Sequence, residues 1–113
     1  RTPGGQGGDT LARSGVGADV PSEFALYASR PNPVRGTAEI RFDLPAAASV
    51  SLEIYDVTGR RVRVVERGSR AAGRHAAVWD ARDDSGTRVA AGIYFYRLNA
   101  GEQQDIRKIV VLR

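Results

Sequence analysis

From Phe24 to the last residue, apolar and polar positions alternate with period two, and turn-forming residues recur about every ten positions, the pattern of short antiparallel strands. Residues 24–30 (FALYASR) read as a first edge strand, ended by Pro31-Asn32-Pro33, where two prolines remove backbone donors. Residues 37–44 place Ile40, Phe42 and Leu44 on one face and Glu39, Arg41 and Asp43 on the other. Residues 49–56 repeat the alternation with Val50, Leu52 and Ile54 inward, and Asp56-Val57-Thr58-Gly59 supplies a turn. Residues 61–66 form a shorter strand with Val62 and Val64 on one face, and residues 68–73 read as a loop.

The second half continues the pattern. Residues 74–80 put His75, Ala77 and Trp79 on one face, assigned to the core, and residues 81–92 form a long connection. In residues 93–99, Tyr94, Tyr96 and Leu98 face inward because Arg97 and Asn99 mark the wet side. Ala100-Gly101 then turns the chain into a closing strand over residues 104–112. Seven strands and no credible helix predict an all-β protein, an immunoglobulin-like antiparallel β-sandwich of about seven strands.

Residues 1–22 break the pattern: they are Gly-rich, lack sustained periodicity and read as a linker or docking segment preceding one domain over residues 23–113. At 113 residues the chain has room for a single core. Its start at Arg1, without methionine, suggests the later part of a longer protein, and its end inside a strand makes the last residues part of the fold. No apolar run reaches the length of a membrane-spanning helix, and no signal peptide opens the chain.

Charge changes the picture little. The net charge of +4 comes from arginines spread over turns and outward strand positions, with a local cluster at Arg60, Arg61, Arg63, Arg67, Arg70 and Arg74. The cluster lacks an interleaved aromatic platform or a recognition helix, so nucleic acid is not an expected partner. With no cysteine there is neither a disulfide nor a thiolate. The acidic run Asp80, Asp83, Asp84 followed by Ser85-Gly86 departs from the spacing of a calcium loop and reads as carboxylates bonding turn amides. His75, the only histidine, has no acid and nucleophile at a recognisable spacing, so no enzyme activity, metal or cofactor is expected.

Three features invite a structural role or an interface. Tyr94 fits a tyrosine corner and Trp79 a core position whose indole N–H needs a partner. Ile93 and Phe95 fall on the face opposite Tyr94, leaving an apolar strip outward that suits partner contact. Arg107, Lys108 and Arg113 flank the apolar run Ile109, Val110, Val111 and Leu112, either as charge guards of an aggregation-prone strand or as part of a recognition surface. Exposed Tyr27, Tyr55 and Phe95 leave carbohydrate binding as a further option, which fold alone does not argue.

The strings RPNPVRGTAEIRFDLP, VSLEIYDVTGRRV, AGRHAAVWDARDDSGTRVAAGIYFYRL and RKIVVLR occur in one order over residues 29–113. That order resembles the C-terminal sorting domain of proteins exported by the bacterial type IX secretion system, and the immunoglobulin-like, FlgD-like domain of the flagellar hook-capping protein. The resemblance implies a domain of a secreted or cell-surface protein, recognised folded by export or attachment machinery of the outer membrane. It also implies that Arg107, Lys108 and the strand through Arg113 take part in recognition. The alternative is a subunit of an extracellular assembly in which residues 1–22 dock on a neighbouring copy, giving a homo-oligomer.

Overall fold

The computed structural model describes residues 20–113; the docking role expected of residues 1–22 falls almost wholly outside them. Seven strands follow in chain order: β1 Ala25–Leu26, β2 Ala38–Leu44, β3 Ala48–Asp56, β4 Arg61–Arg70, β5 Gly73–Trp79, β6 Gly92–Ala100 and β7 Gln103–Val111. They form two antiparallel sheets, β1-β2-β5 and β4-β3-β6-β7, with no helix among the described residues. This is the immunoglobulin-like sandwich expected from the alternation.

The inward side chains meet as expected. Ile40, Phe42 and Leu44 of one sheet pack against Val50, Leu52, Ile54, Tyr96 and Leu98 of the other, all essentially inaccessible to water. Trp79 and Tyr94 meet edge to face at 5.9 Å. Each buried aromatic donor finds a carbonyl: Trp79 Nε1 bonds Arg82 O at 2.9 Å, Tyr94 Oη bonds Ala90 O at 2.7 Å and Tyr96 Oη bonds Tyr27 O at 2.6 Å. His75 lies on the core face as expected, half-buried, stacked on Phe42 at 5.3 Å with Nε2 2.8 Å from Ala71 O.

Three local expectations are corrected. The first strand, expected over residues 24–30, is regular only at Ala25–Leu26. Pairing resumes through Tyr27 N–H to Arg41 O (3.0 Å) and Arg30 with Glu39, so three steps on one side match two on the other and the extra residue bulges out. The loop expected at 68–73 is instead the end of β4, which pairs Gly68, Ser69 and Arg70 with Val50, Ser49 and Ala48. Gly68 manages this at φ +131°, a conformation open to glycine and where a Cβ would lie 3.3 Å from Arg70 Nη1.

The third correction concerns the face of β4. Leu52 pairs with Glu66 and Glu53 with Val64, and Ile54 pairs with Arg63 and Tyr55 with Arg61. Val65 and Val62 are thus the unpaired residues of two successive irregularities. Val62 packs against the core as expected, but its companion there is Val65 and not Val64. A strict period of two cannot register an inserted residue, because each insertion reverses the facing of every later residue in the strand.

Candidate interaction surface

The outer face of the four-stranded sheet follows from register. Tyr55 pairs with Arg61 on one side and Phe95 on the other, and Phe95 pairs with Lys108. The next row is Val64, Glu53, Arg97 and Ile106, and the one after it Arg67, Ser51, Asn99 and Gln104. Beside the first row, Ile93 pairs with Val110. Ile93 is 44% exposed and Ile106 51% exposed, and Phe95 is half-buried between them. Tyr55, Val57, Phe95, Arg97 and Ile106 line a shallow depression of about 410 Å³ on this face.

Next to it, sharing Tyr55 and Arg97, is a charged network around a single carboxylate. Glu53 is 7% exposed and accepts a hydrogen bond from Tyr55 Oη at 2.5 Å. Arg61 Nη1 lies 3.5 Å and Arg67 Nη2 3.2 Å from Glu53 Oε2, with Arg97 Nη2 3.4 Å from Oε1. Arg97 also donates to the Tyr55 hydroxyl, and its guanidinium carbon sits 4.7 Å from the Tyr55 ring centre. The Tyr55 hydroxyl bond, joined by Arg67, Ser51 and Arg61, holds the Glu53 carboxyl below the usual carboxylate range against the opposing effect of burial. Burial, then the Glu53 carboxylate, pushes the Tyr55 phenol up.

The residues singled out for recognition separate into groups. Ile93, Phe95, Lys108 and Val110 share this outer face. Ile109 and Val111 are fully buried and belong to the core. Arg107 faces the opposite way, and its Nε donates to Leu26 O at 2.6 Å, pinning β1 across the sandwich. Leu112 N–H bonds Val34 O at 2.8 Å, and Arg113 O accepts from Arg35 Nη1 at 3.0 Å. Sequence reasoning placed Arg97 on the outward side of its strand but missed Glu53, Ile106 and Arg61 as members of this face. Their matching parity on paired strands was the available signal, but parity alone does not say which strands are neighbours.

The closing strand is held along its outer edge as well. Val34 runs parallel to Val111 and bonds Val110 O at 2.8 Å. Asn32 Oδ1 accepts from Val110 N–H at 3.0 Å while its Nδ2 lies 3.4 Å from Lys108 O. Residues 26–35 therefore hold β7 and the two residues after it at five positions, Arg107, Lys108, Val110, Leu112 and Arg113.

Other candidates resolve into local structure. Asp83 Oδ1 accepts from Ser85 N–H, Ser85 Oγ and Thr87 N–H, and the Ser85 hydroxyl foremost holds this carboxyl low. Asp84 Oδ1 caps Val64 N–H at 3.0 Å, and Asp80 receives Arg82 N–H at 3.2 Å and Arg63 Nη1 at 3.5 Å. The acidic run thus satisfies turn amides and covers the free edge of β4. The arginine cluster disperses: Arg63 reaches this loop, Arg70 pairs with Glu66 at 2.7 Å, and Arg60 with Asp56 at 3.6 Å. Tyr27 lies on the other sheet, bonded to Asp43, and Tyr55 and Phe95 are half-buried, so the three aromatics expected to be exposed do not gather.

Residues 29–104 match the model of the FlgD Ig-like domain family. Among solved structures, dimeric latent PorU from Porphyromonas gingivalis is 28% identical with a TM-score of 0.62, over 75% of this chain and 9% of that one. FlgD from Xanthomonas campestris, described in connection with the hook capping essential for flagellar assembly, is 27% identical with a TM-score of 0.55, over 83% of this chain and 70% of that one. PorZ from P. gingivalis, described as a surface component of the type IX secretion system, covers 87% of this chain and 12% of PorZ at 24% identity and a TM-score of 0.50, a likeness of fold alone. This chain thus corresponds to a small fraction of PorU and PorZ. No curated protein matches it.

Proposed function

We propose that this chain, which belongs to the FlgD Ig-like domain family, is a non-catalytic sorting or anchoring module of a secreted or cell-surface protein, recognised as a folded surface by a protein partner. The observation that carries this reading is the interlock between β7 and residues 26–35. Arg107 bonds Leu26 O, Asn32 and Val34 bond the β7 edge, and Ile109 and Val111 fill the core. A partner that meets β7 therefore meets it folded, through Lys108, Val110 and the neighbouring Ile93 and Phe95. The motifs PNP, YDVTGR, WDARDDSG and GIYFY, with their resemblance to type IX sorting domains, supply the functional direction.

The test is a fusion of the full chain to a secreted reporter in a host with type IX export. Surface reporter is expected for the intact fusion and its loss on deletion of residues 109–113. Export unaffected by that deletion would sink the reading. The deletion also removes two core side chains, so a thermal melt of the shortened chain accompanies it and is expected to show loss of cooperative unfolding.

A structural module of an extracellular assembly is the second reading, favoured by the match to FlgD over most of this chain. Sedimentation of the full chain against one starting at Pro21 separates it: a larger mass for the full chain supports assembly through residues 1–20, and equal monomer masses count against it.

A further inference from the structure

We propose that the outer face of β4-β3-β6-β7 is a docking site for an acidic segment of a partner protein that carries an apolar side chain among its carboxylates. This deepens the reading of that face as a contact surface and does not depend on which machinery reads the domain. The charge balance argues for the acidic partner. Arg61, Arg67, Arg97 and Lys108 line the three rows, with Glu53 as the carboxylate in their midst. At the rim, Asp56 is engaged by its own turn and by Arg60.

The arginines are also preorganised. Arg61 and Arg67 each point one guanidinium nitrogen at Glu53 Oε2 while remaining 49% and 61% exposed. Glu53 thus fixes their positions without neutralising all of them, and leaves other N–H groups for an incoming carboxylate. Between these cations and Lys108, the depression lined by Tyr55, Phe95 and Ile106 accepts an apolar side chain. An apolar centre with charged surroundings is the arrangement of a protein contact.

Two other occupants fit less well. A second copy presenting the same face would oppose like charges across the contact, which is unfavourable. A nucleic acid or sugar needs free ring faces, and Arg97 already lies over Tyr55, leaving Phe95 as the remaining aromatic of the depression.

The experiment is fluorescence anisotropy with the full chain and a labelled ten-residue peptide alternating Glu and Leu. A Lys/Leu peptide, an all-Glu peptide and a heparin oligosaccharide are the comparison probes. Saturable binding of the Glu/Leu peptide is expected, tighter than all-Glu and absent for Lys/Leu. The double variant Arg61→Gln/Arg67→Gln is expected to weaken it about tenfold and Phe95→Ala about fivefold. Arg41→Gln on the other sheet is expected to leave it unchanged, with circular dichroism melts confirming that each variant folds.

Equal binding of the acidic and basic peptides, unchanged binding in the double arginine variant, or binding of heparin without the peptide would each overturn the proposal. Peptide binding lost in these variants while their reporter fusions still reach the surface would leave the docking site standing and remove its link to export.

Discussion

At the scale of single residues, the chain's polar chemistry serves placement. Glu53 is the clearest case, since one nearly buried carboxylate organises Tyr55 and three arginines on a sheet face. Its carboxyl is held below the ordinary range, so its contribution is fully present above the unfolded pKa of about 4 and is lost as pH falls through the lower folded value. Asp56 and Asp83, held low foremost by the Thr58 and Ser85 hydroxyls, act in the same direction. The midpoint of thermal unfolding should therefore fall between pH 5 and pH 2, roughly the carboxylate window, and Glu53→Gln should flatten that dependence in melts across the range. At pH 7 the same variant should lose about 1–2 kcal/mol in a urea titration, since three guanidiniums are left without their common partner. Tyr96→Phe should cost about 1–2 kcal/mol in the same titration by leaving Tyr27 O without the donor that reaches it across the sandwich.

At the scale of elements, alternation made β2, β3, β5 and β6 legible almost residue by residue, because their inward apolar sets repeat without interruption even where Asp43 and Glu53 are buried on the other side. The departures lie where the ladder is irregular. In β4 two irregularities bring Val62 and Val65 to the core, so Val65→Ala should cost about 1–2 kcal/mol while Val64→Ala stays within about 0.5 kcal/mol, as read from paired urea titrations. Equal losses would contradict the assigned register. The outer-face site was half legible for a related reason. Ile93, Phe95 and Arg97 share parity on β6, as Ile106 and Lys108 do on β7, whereas Glu53 and Arg61 joined them only once strand order placed β3 between β4 and β6. Arg107 misled because a basic residue beside an apolar run looks outward from sequence. Here it reaches across to a main-chain carbonyl on the other sheet.

At the scale of the molecule, the closing strand ties the two halves of the chain together. Residues 26–35 hold β7 from one side and β6 from the other, so the surface around Phe95 and Lys108 exists only when the sandwich is complete. Asn32→Ala removes two of those contacts and should raise amide hydrogen exchange at Val110 more than at Leu52, which sits in the centre of its sheet. The central claim is that this folded surface is what a partner reads. Its most direct measurement is the amount of reporter at the cell surface for fusions carrying Phe95→Ala/Lys108→Glu, with melting midpoints taken on the same proteins. The account expects surface reporter to fall severalfold while the midpoint stays within a few degrees of the parent. Full export from a folded double variant would contradict it.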